Sequence, residues 1–112
     1  MTVVAKTLLE AKQAENAQTT QYTAPASTRT ILDKMTATNT TGGVVALTVN
    51  LVASGGAAAA GNTVMSAQAI AAGTTYLCTE VAGHVLNPGD FVSTLAGAAA
   101  SITIRLSGRE VS

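Results

Sequence analysis

The chain has 112 residues, of which 47% are hydrophobic but only 3% aromatic, and its six basic and six acidic residues cancel to a formal net charge of zero. This length is typical of one domain with a modest core. The charged share is 11%, against the ~25% of an ordinary soluble domain, and no basic stripe is available for a run of phosphates, so we expect no nucleic-acid binding. Much of the apolar share is alanine, which buries little area, so we expect neighbouring chains of a homo-oligomer to add stability.

The sequence carries no signal for a membrane or a secretory route. Its single cysteine, Cys78, cannot form an internal disulfide. No apolar run approaches the ~20 residues that cross a bilayer, and the N-terminus lacks the basic and apolar regions of a secretory signal. We therefore expect no membrane partner, and synthesis and assembly in the cytoplasm.

Residues 1–19 are predicted to form an N-terminal arm, with residues 20–112 as the main domain. Four of the twelve charged residues lie in this arm: Lys6, Glu10, Lys12 and Glu15. Its apolar residues fit one face of a helix and an alternating strand equally well, so both structures remain open. An arm that orders against something else is one interpretation, and a frayed terminus is the other.

Alternating apolar and polar residues predict short strands along most of the remaining chain. The predicted strands are 21–23, 28–39, 44–52, 63–66, 74–80, 91–95 and 101–106. Between them, 53–62 is predicted to be a loop rich in glycine and alanine, and 67–73 a linker with at most one helical turn. Seven or eight strands at short, regular spacing indicate an all-β fold, an antiparallel β-sandwich that is jelly-roll-like.

Two long strands predict which side chains share a face. Along 28–39 one face holds Ile31, Asp33, Met35 and Ala37, and the other holds Leu32, Lys34, Thr36 and Thr38. Along 44–52 the apolar face holds Val45, Leu47, Val49 and Leu51. The second of these is the clearest half-buried strand in the chain.

A turn and a hairpin are predicted in the last third of the chain. Pro88 and Gly89 suit the second and third positions of a type II turn. The alternating runs 91–95 and 101–106 are joined by small residues at 97–100. They are therefore predicted to pair as an antiparallel hairpin that forms one wall of the domain.

Catalytic and metal-binding chemistry would depend on very few residues. His84 is the one histidine, and Cys78 and His84, oriented by Glu80 or Asp90, could form a Cys/His/acid set. The simpler interpretation is a loop histidine bonded to backbone and a small buried cysteine. Structural zinc sites recruit about four Cys or His ligands, and the 55–61 segment lacks the ending of a phosphate loop. We expect no enzyme activity, no cofactor and no metal.

Candidate interface residues lie near the two ends of the chain: Lys6, Leu8, Leu9, Arg109 and Glu110. The last two of these could bridge to a neighbouring subunit. Alternatively, Arg105 could pair with Asp33 or Asp90 and hold strands together. Solvated surface charge is the third interpretation, since exposed ion pairs contribute only ~0–1 kcal/mol.

Four stretches, in this order, carry a resemblance to a known group of proteins: Tyr22-Thr23-Ala24-Pro25-Ala26, Met35-Thr36-Ala37-Thr38-Asn39-Thr40, Ala71-Ala72-Gly73-Thr74 and Leu86-Asn87-Pro88-Gly89-Asp90. Over residues 20–110 the chain resembles the small β-sandwich virion proteins of tailed bacteriophages. In that group a Tyr-x-Ala-Pro entry precedes a strand ending in Thr-Asn, an Ala-Gly-x-Thr edge and a Leu-x-x-Gly-Asp turn. The resemblance implies a structural role and no catalytic residues.

Within that group we expect a capsid cement or decoration protein that binds over joints of the major capsid protein and stabilises the head. The expected partners are the major capsid protein or other virion proteins, and the expected location is the capsid surface of the virion. A head–tail connector, tail or fibre-attachment component is an alternative. A small carbohydrate-binding module is another, although only Tyr22, Tyr76 and Phe91 could stack on a sugar.

Overall fold

Nine β-strands and one 3₁₀ turn form the regular structure of residues 1–112 in this computed structural model. In chain order they are β1 (Val3–Gln13), β2 (Thr19–Thr23), β3 (Arg29–Asn39), β4 (Val45–Val52), the 3₁₀ turn (Ala60–Asn62), β5 (Thr63–Ile70), β6 (Thr75–Leu77), β7 (Val85–Leu86), β8 (Phe91–Ala96) and β9 (Ile102–Val111). Valine, isoleucine and threonine are frequent in these segments, as β-branched residues are in strands generally. No helix in the structure is long and apolar enough to cross a membrane.

The strands form two antiparallel sheets packed face to face. Sheet 1 has the order β1-β9-β3-β6, with the short β7 also paired to β3, and sheet 2 has the order β2-β8-β4-β5. The pairs β1·β9, β2·β8, β3·β6 and β4·β5 therefore alternate between the sheets, as when a long two-stranded ribbon is rolled over on itself. This is the jelly-roll arrangement, and the predicted all-β antiparallel sandwich is confirmed.

The predicted hairpin in the last third of the chain is wrong. Both segments are strands, but β8 lies in sheet 2 between β2 and β4, whereas β9 lies in sheet 1 between β1 and β3. The link at 97–101 therefore crosses from one sheet to the other. Alternation shows that a strand has one buried face, but it does not say which strand lies beside it.

The N-terminal segment lies within the sandwich rather than apart from it. Strand β1 pairs with β9 of the same chain, from Val3 opposite Val111 to Gln13 opposite Thr103. It is an edge strand of sheet 1, so the strand alternative for this segment is confirmed. The predicted boundary at residue 19 falls at the start of β2, between two strands that belong to the same fold. The segment is ordered in this chain by pairing with β9, about a hundred residues later in the sequence.

A β-bulge in β3 shifts the predicted faces of that strand. The register against β9 slips between Leu32 and Lys34, so Leu32 and Met35 both point into the core although they are three residues apart. Met35 and Ala37 are both buried and so share a face as predicted, but Asp33 of that predicted face is exposed and Leu32 of the other is fully buried. An extra residue in one strand of a pair reverses the alternation beyond it, and the sequence pattern did not reveal it.

Strand β4 follows its predicted alternation. Val45, Leu47 and Val49 are buried, and Leu51 is partly buried against the core. Asn50 and Val52 are buried as well, because the predicted loop 53–62 folds back over them. The side-chain amide of Asn50 donates to the carbonyl oxygen of Ala59 in that loop at 3.1 Å.

Strand β5 is longer than predicted and β6 is shorter. The predicted linker 67–73 begins with residues that continue β5 to Ile70. Ala67 has a φ of +43° at a register shift against β4, and its N–H donates to the hydroxyl of Thr48 at 2.9 Å. A strand that passes through such a bulge is easily taken for a linker, because its alternation is broken.

The core between the sheets is aliphatic. Its fully buried large side chains include Leu32, Met35, Leu47, Val49, Val92, Ile102, Ile104 and Leu106. Asn39 is fully buried too, at the end of β3, and its amide donates to the carbonyl oxygens of Gly43 at 2.7 Å and Ile70 at 2.8 Å. Its carbonyl oxygen accepts from the Thr41 N–H at 2.9 Å, so this polar group costs little to bury.

The predicted turn at Asn87–Asp90 is confirmed. The Asp90 N–H donates to the Asn87 carbonyl oxygen at 3.0 Å, and Gly89 has a φ of +85°. A positive φ at the third position is what a type II turn requires, and glycine adopts it without strain. A Cβ at Gly89 would also lie 3.0 Å from the Cβ of Ser54, so the position has little room for a side chain.

The four stretches that carry the resemblance meet in two pairs. The Ala24 N–H donates to the Asp90 carbonyl oxygen at 2.9 Å, and the Gly89 N–H donates back to the Ala24 carbonyl oxygen at 3.0 Å. The Asn39 N–H donates to the Thr74 carbonyl oxygen at 2.9 Å. Each contact joins segments that are far apart in the chain.

Candidate interaction surface

The five predicted interface residues do not form one exposed patch. Leu8 is buried and Leu9 packs against the core, because the bulge between Thr7 and Leu9 turns both leucines inward. Lys6 and Glu110 form an ion pair of 3.3 Å at the rim of the sandwich. Only Arg109 lies on the outer face of sheet 1. Their role in contacts with other chains stays a prediction.

Glu110 belongs to a polar cluster that links the two sheets. Its carboxylate accepts from the hydroxyl of Tyr22, which comes from sheet 2, and pairs with Lys6 on β1. The Tyr22 hydroxyl also lies 2.8 Å from the hydroxyl of Thr30. Burial and the neighbouring carboxylate raise the pKa of Tyr22 to about 12. The cluster closes one end of the sandwich, so Glu110 already has its partners within the chain.

The outer face of sheet 1 is formed by the side chains of β1, β3 and β9 that point away from the core, with β6 and β7 at its margin. The register places Ala5, Arg109, Ile31 and Val85 in one row across the strands. A second row holds Arg105, Thr36 and Leu77. The chain thus presents a strand-built surface that carries both basic and aliphatic side chains.

One ion pair lies on this outer face. The guanidinium of Arg109 donates to both carboxylate oxygens of Asp33, at 3.0 and 2.9 Å. The hydrogen bonds from Arg109 lower the pKa of Asp33 below its ordinary value. The bulge in β3 directs Asp33 outward and so makes this pair possible. Arg109 is therefore the partner of Asp33, which corrects the prediction of an Arg105–Asp33 pair.

Three further cations on the outer face have no acidic partner in the chain. Arg29, Lys34 and Arg105 are exposed, and none of them takes part in a salt bridge. Arg105 contacts only the hydroxyl of Thr7, at 3.4 Å. Lys34 and Arg105 line a shallow depression together with Thr36 and Ser107. Four of the six basic residues of the chain thus share one face.

Aliphatic side chains are exposed on the same face. Val3 at its edge is 51% exposed, Leu77 is 49% exposed and Val85 is 52% exposed. Single exposed apolar residues are ordinary on a protein surface. Together with the unpaired cations, they give this face both apolar and basic side chains.

Strand β1 leaves one edge of sheet 1 open, but only part of it is regular. Its register against β9 shifts twice, between Thr7 and Leu9 and between Leu9 and Lys12. Bulges at a sheet edge hinder pairing with another strand. The regular part of the open edge is therefore the segment from Val3 to Thr7.

Each residue of the possible Cys/His/acid set has its own contacts, although His84 and Asp90 line one cavity together. Cys78 is buried and free, and burial raises the pKa of its thiol to about 12. The carboxylate of Glu80 accepts from the hydroxyl of Tyr76 at 2.8 Å. Asp90 accepts from the backbone N–H groups of Ser54 and Asn87 and forms no salt bridge with Arg105, so that alternative is not observed. His84 is exposed in the loop before β7, and its backbone carbonyl accepts from the Leu32 N–H at 2.9 Å.

No protein-family model matches the sequence, and no curated protein matches it. Among solved structures, the chain is similar to one in the "Structure of infectious bursal disease virus Gx strain", with a TM-score of 0.39 and 15% sequence identity. The likeness covers 97% of this chain and 41% of that chain, so this protein spans less than half the length of the other.

Proposed function

We propose that this protein is a structural component of a tailed-bacteriophage virion, a cement or decoration protein that binds over joints between major capsid subunits and stabilises the head. The observation that carries the proposal is the jelly-roll strand order, β1-β9-β3-β6 against β2-β8-β4-β5. Jelly rolls are a common fold of viral capsid domains. Fold alone does not determine function. The motif resemblance over residues 20–110 is a second observation that supports a virion setting.

The shape and surface of the chain suit a protein held by many neighbours. The sandwich measures 46 × 26 × 19 Å, long enough to reach across a joint between two subunits. Only 11% of its residues are charged, so little charge must be desolvated when the surface is covered. A protein that binds the assembled shell, and not its separate subunits, stabilises the shell by mass action.

The proposal is tested by adding purified protein to expanded shells of the parent phage that lack it, and by sedimenting the shells. We expect saturable binding and a higher temperature of shell disruption. No binding at any protein concentration would overturn the proposal. Densitometry of the virion then separates a decoration protein, present in many copies, from a connector or fibre component, present in a single ring or a few copies.

The carbohydrate-binding alternative has less support from the surface. Jelly rolls also serve as lectin domains, and such sites commonly stack a sugar on an exposed aromatic ring. Tyr22, Tyr76 and Phe91 are each half-buried, and both tyrosine hydroxyls donate to carboxylates of the chain. A glycan array with specific hits would favour this alternative.

A further inference from the structure

We propose that the outer face of sheet 1 is the docking surface of this protein, and that its partner is an acidic protein surface on the shell. The partner would present carboxylates between apolar side chains. This inference deepens the proposed function and rests on it. It names the face that binds and the chemistry that the face recognises.

The charged residues are distributed unevenly over the surface of the chain. The chain has a formal net charge of zero, yet four of its six basic residues lie on this face. Asp33 neutralises Arg109 through two hydrogen bonds. Glu10, on the edge strand, is exposed and forms no ion pair. The face therefore carries four basic residues against Asp33 and the exposed Glu10, and Arg29, Lys34 and Arg105 form no ion pair within the chain.

The register brings two of the unpaired cations close together. Lys34 lies opposite Ser107, and Arg105 lies opposite Thr36, in neighbouring rows of the same sheet. These four side chains line one shallow depression. A carboxylate seated there would receive hydrogen bonds from two cations at once. Charge-assisted hydrogen bonds of this kind are the stronger class.

The aliphatic residues favour a protein partner over a nucleic acid. In the row of side chains across the strands that contains Arg105, the last residue is Leu77. In the row that contains Arg109, the last residue is Val85. An apolar side chain gains nothing from a phosphate backbone, whereas in a protein contact it is buried and excludes water from the nearby charges. Nucleic-acid affinity also depends on many phosphate contacts, and three unpaired cations are few for that purpose.

The backbone beneath these residues is already ordered. β3 and β9 are the two inner strands of sheet 1, and each is paired on both sides. A surface built on paired strands loses little conformational entropy on binding, and a preorganised surface binds more tightly than a mobile one. The outer face therefore presents its charges at fixed spacings.

The test compares two double variants of equal net charge. Lys34→Gln/Arg105→Gln removes two positive charges from the outer face. The control, Ser66→Glu/Ala69→Glu, adds two negative charges at exposed positions of β5, in sheet 2. Circular dichroism and thermal unfolding verify that both fold. Binding to shells that lack the protein is then measured by sedimentation at ionic strengths from about 0.05 to about 0.5 M, a range over which screening becomes strong.

We expect the outer-face variant to bind the shells about tenfold more weakly than wild type at low ionic strength, because it leaves the partner's carboxylates unpaired. The control should bind as wild type does, and the wild-type affinity should fall as salt is added. Equal binding by wild type and the outer-face variant would overturn the inference and leave the proposed function standing. Failure of the wild type to bind would overturn both, and tighter binding to a DNA duplex than to shells would assign the cations to nucleic acid instead.

Discussion

Replacement of Gly108 by alanine tests the packing of the central strands of sheet 1. Gly108 lies buried on β9, opposite Leu32 of β3 and Lys6 of β1. A Cβ at this position would lie well inside the van der Waals contact distance of the Ile31 carbonyl oxygen. It would also lie 3.2 Å from the Ile31 carbonyl carbon and 2.9 Å from the Cδ1 of Leu8.

The sign of the effect follows from which atoms must move. The Leu8 methyl can rotate away, but the Ile31 carbonyl is part of the backbone of a strand paired on both sides. Forcing extra atoms into a packed site costs about 1–3 kcal/mol or more. Alanine in place of glycine would otherwise stabilise a strand by about 0.5–1 kcal/mol. We therefore expect a net loss of about 2 kcal/mol from a total stability of about 5–15 kcal/mol.

The matched control is Gly42→Ala, because a Cβ at Gly42 meets no atom within 4 Å. This variant should be as stable as wild type, or slightly more stable through its less flexible unfolded chain. Both variants are unfolded in urea and followed by circular dichroism. At a slope of about 2 kcal/mol per M, Gly108→Ala should lower the midpoint by about 1 M. If Gly108→Ala matched or exceeded the wild-type midpoint, the close approach of β9 to β3 would be refuted.

Three further predictions concern buried and paired polar groups. Asn39→Ala should lower the free energy of unfolding in urea by about 1–3 kcal/mol, because it leaves buried backbone groups without partners. Burial holds the pKa of the Cys78 thiol at about 12 in the folded chain, against an ordinary value of 9.0. The free energy of unfolding should therefore keep its full value below about pH 9 and fall as the pH rises toward about 12. Cys78→Ala should make that alkaline loss smaller. Arg109→Gln should raise the pKa of Asp33, measured by NMR titration, back toward its ordinary value, because it removes the two hydrogen bonds to the carboxylate.

Each of these predictions has its own contrary result. The Asn39 prediction is compared with Thr38→Ala on the same strand, whose hydroxyl is exposed in its contact with Thr75. Equal losses in both variants would show that the Asn39 contacts matter little. An alkaline stability profile unchanged in Cys78→Ala would contradict the buried thiol. An unchanged Asp33 titration in Arg109→Gln would mean that the ion pair does not form in solution.

Local sequence pattern predicted the strands well because burial on one face of a sheet imposes a period of two. The run Val45, Leu47, Val49 shows this directly, since each side chain is buried. The turn at Pro88 and Gly89 was predictable for a similar reason, because its chemistry lies within four neighbouring residues.

The pairing of strands could not be predicted in the same way. β1 pairs with β9 across almost the whole chain, and nothing local to Val3–Gln13 identifies that partner. β8 and β9 have the alternation of a hairpin, yet the jelly roll places them in opposite sheets. The bulge at Asp33 is likewise set by the register against β9, and it decides which basic residue pairs with that aspartate.

The candidate surface was only partly predictable for the same reason. Arg109 was among the predicted interface residues, but Arg29, Lys34 and Arg105 were not. Arg29 and Lys34 lie far from Arg105 and Arg109 in the sequence, and only the antiparallel register of β3 with β9 brings them onto one face. Leu8 is buried and Leu9 packs against this chain's own core because of a bulge that the sequence does not show.

A low-resolution reconstruction of the virion, compared with one of particles that lack this chain, tests the central claim most directly. We predict repeated extra density on the outside of the head, over joints between capsid subunits, of a size that fits a sandwich of 46 × 26 × 19 Å. Identical reconstructions, or a purified virion without this protein, would contradict the claim that its jelly roll serves to hold a viral shell together.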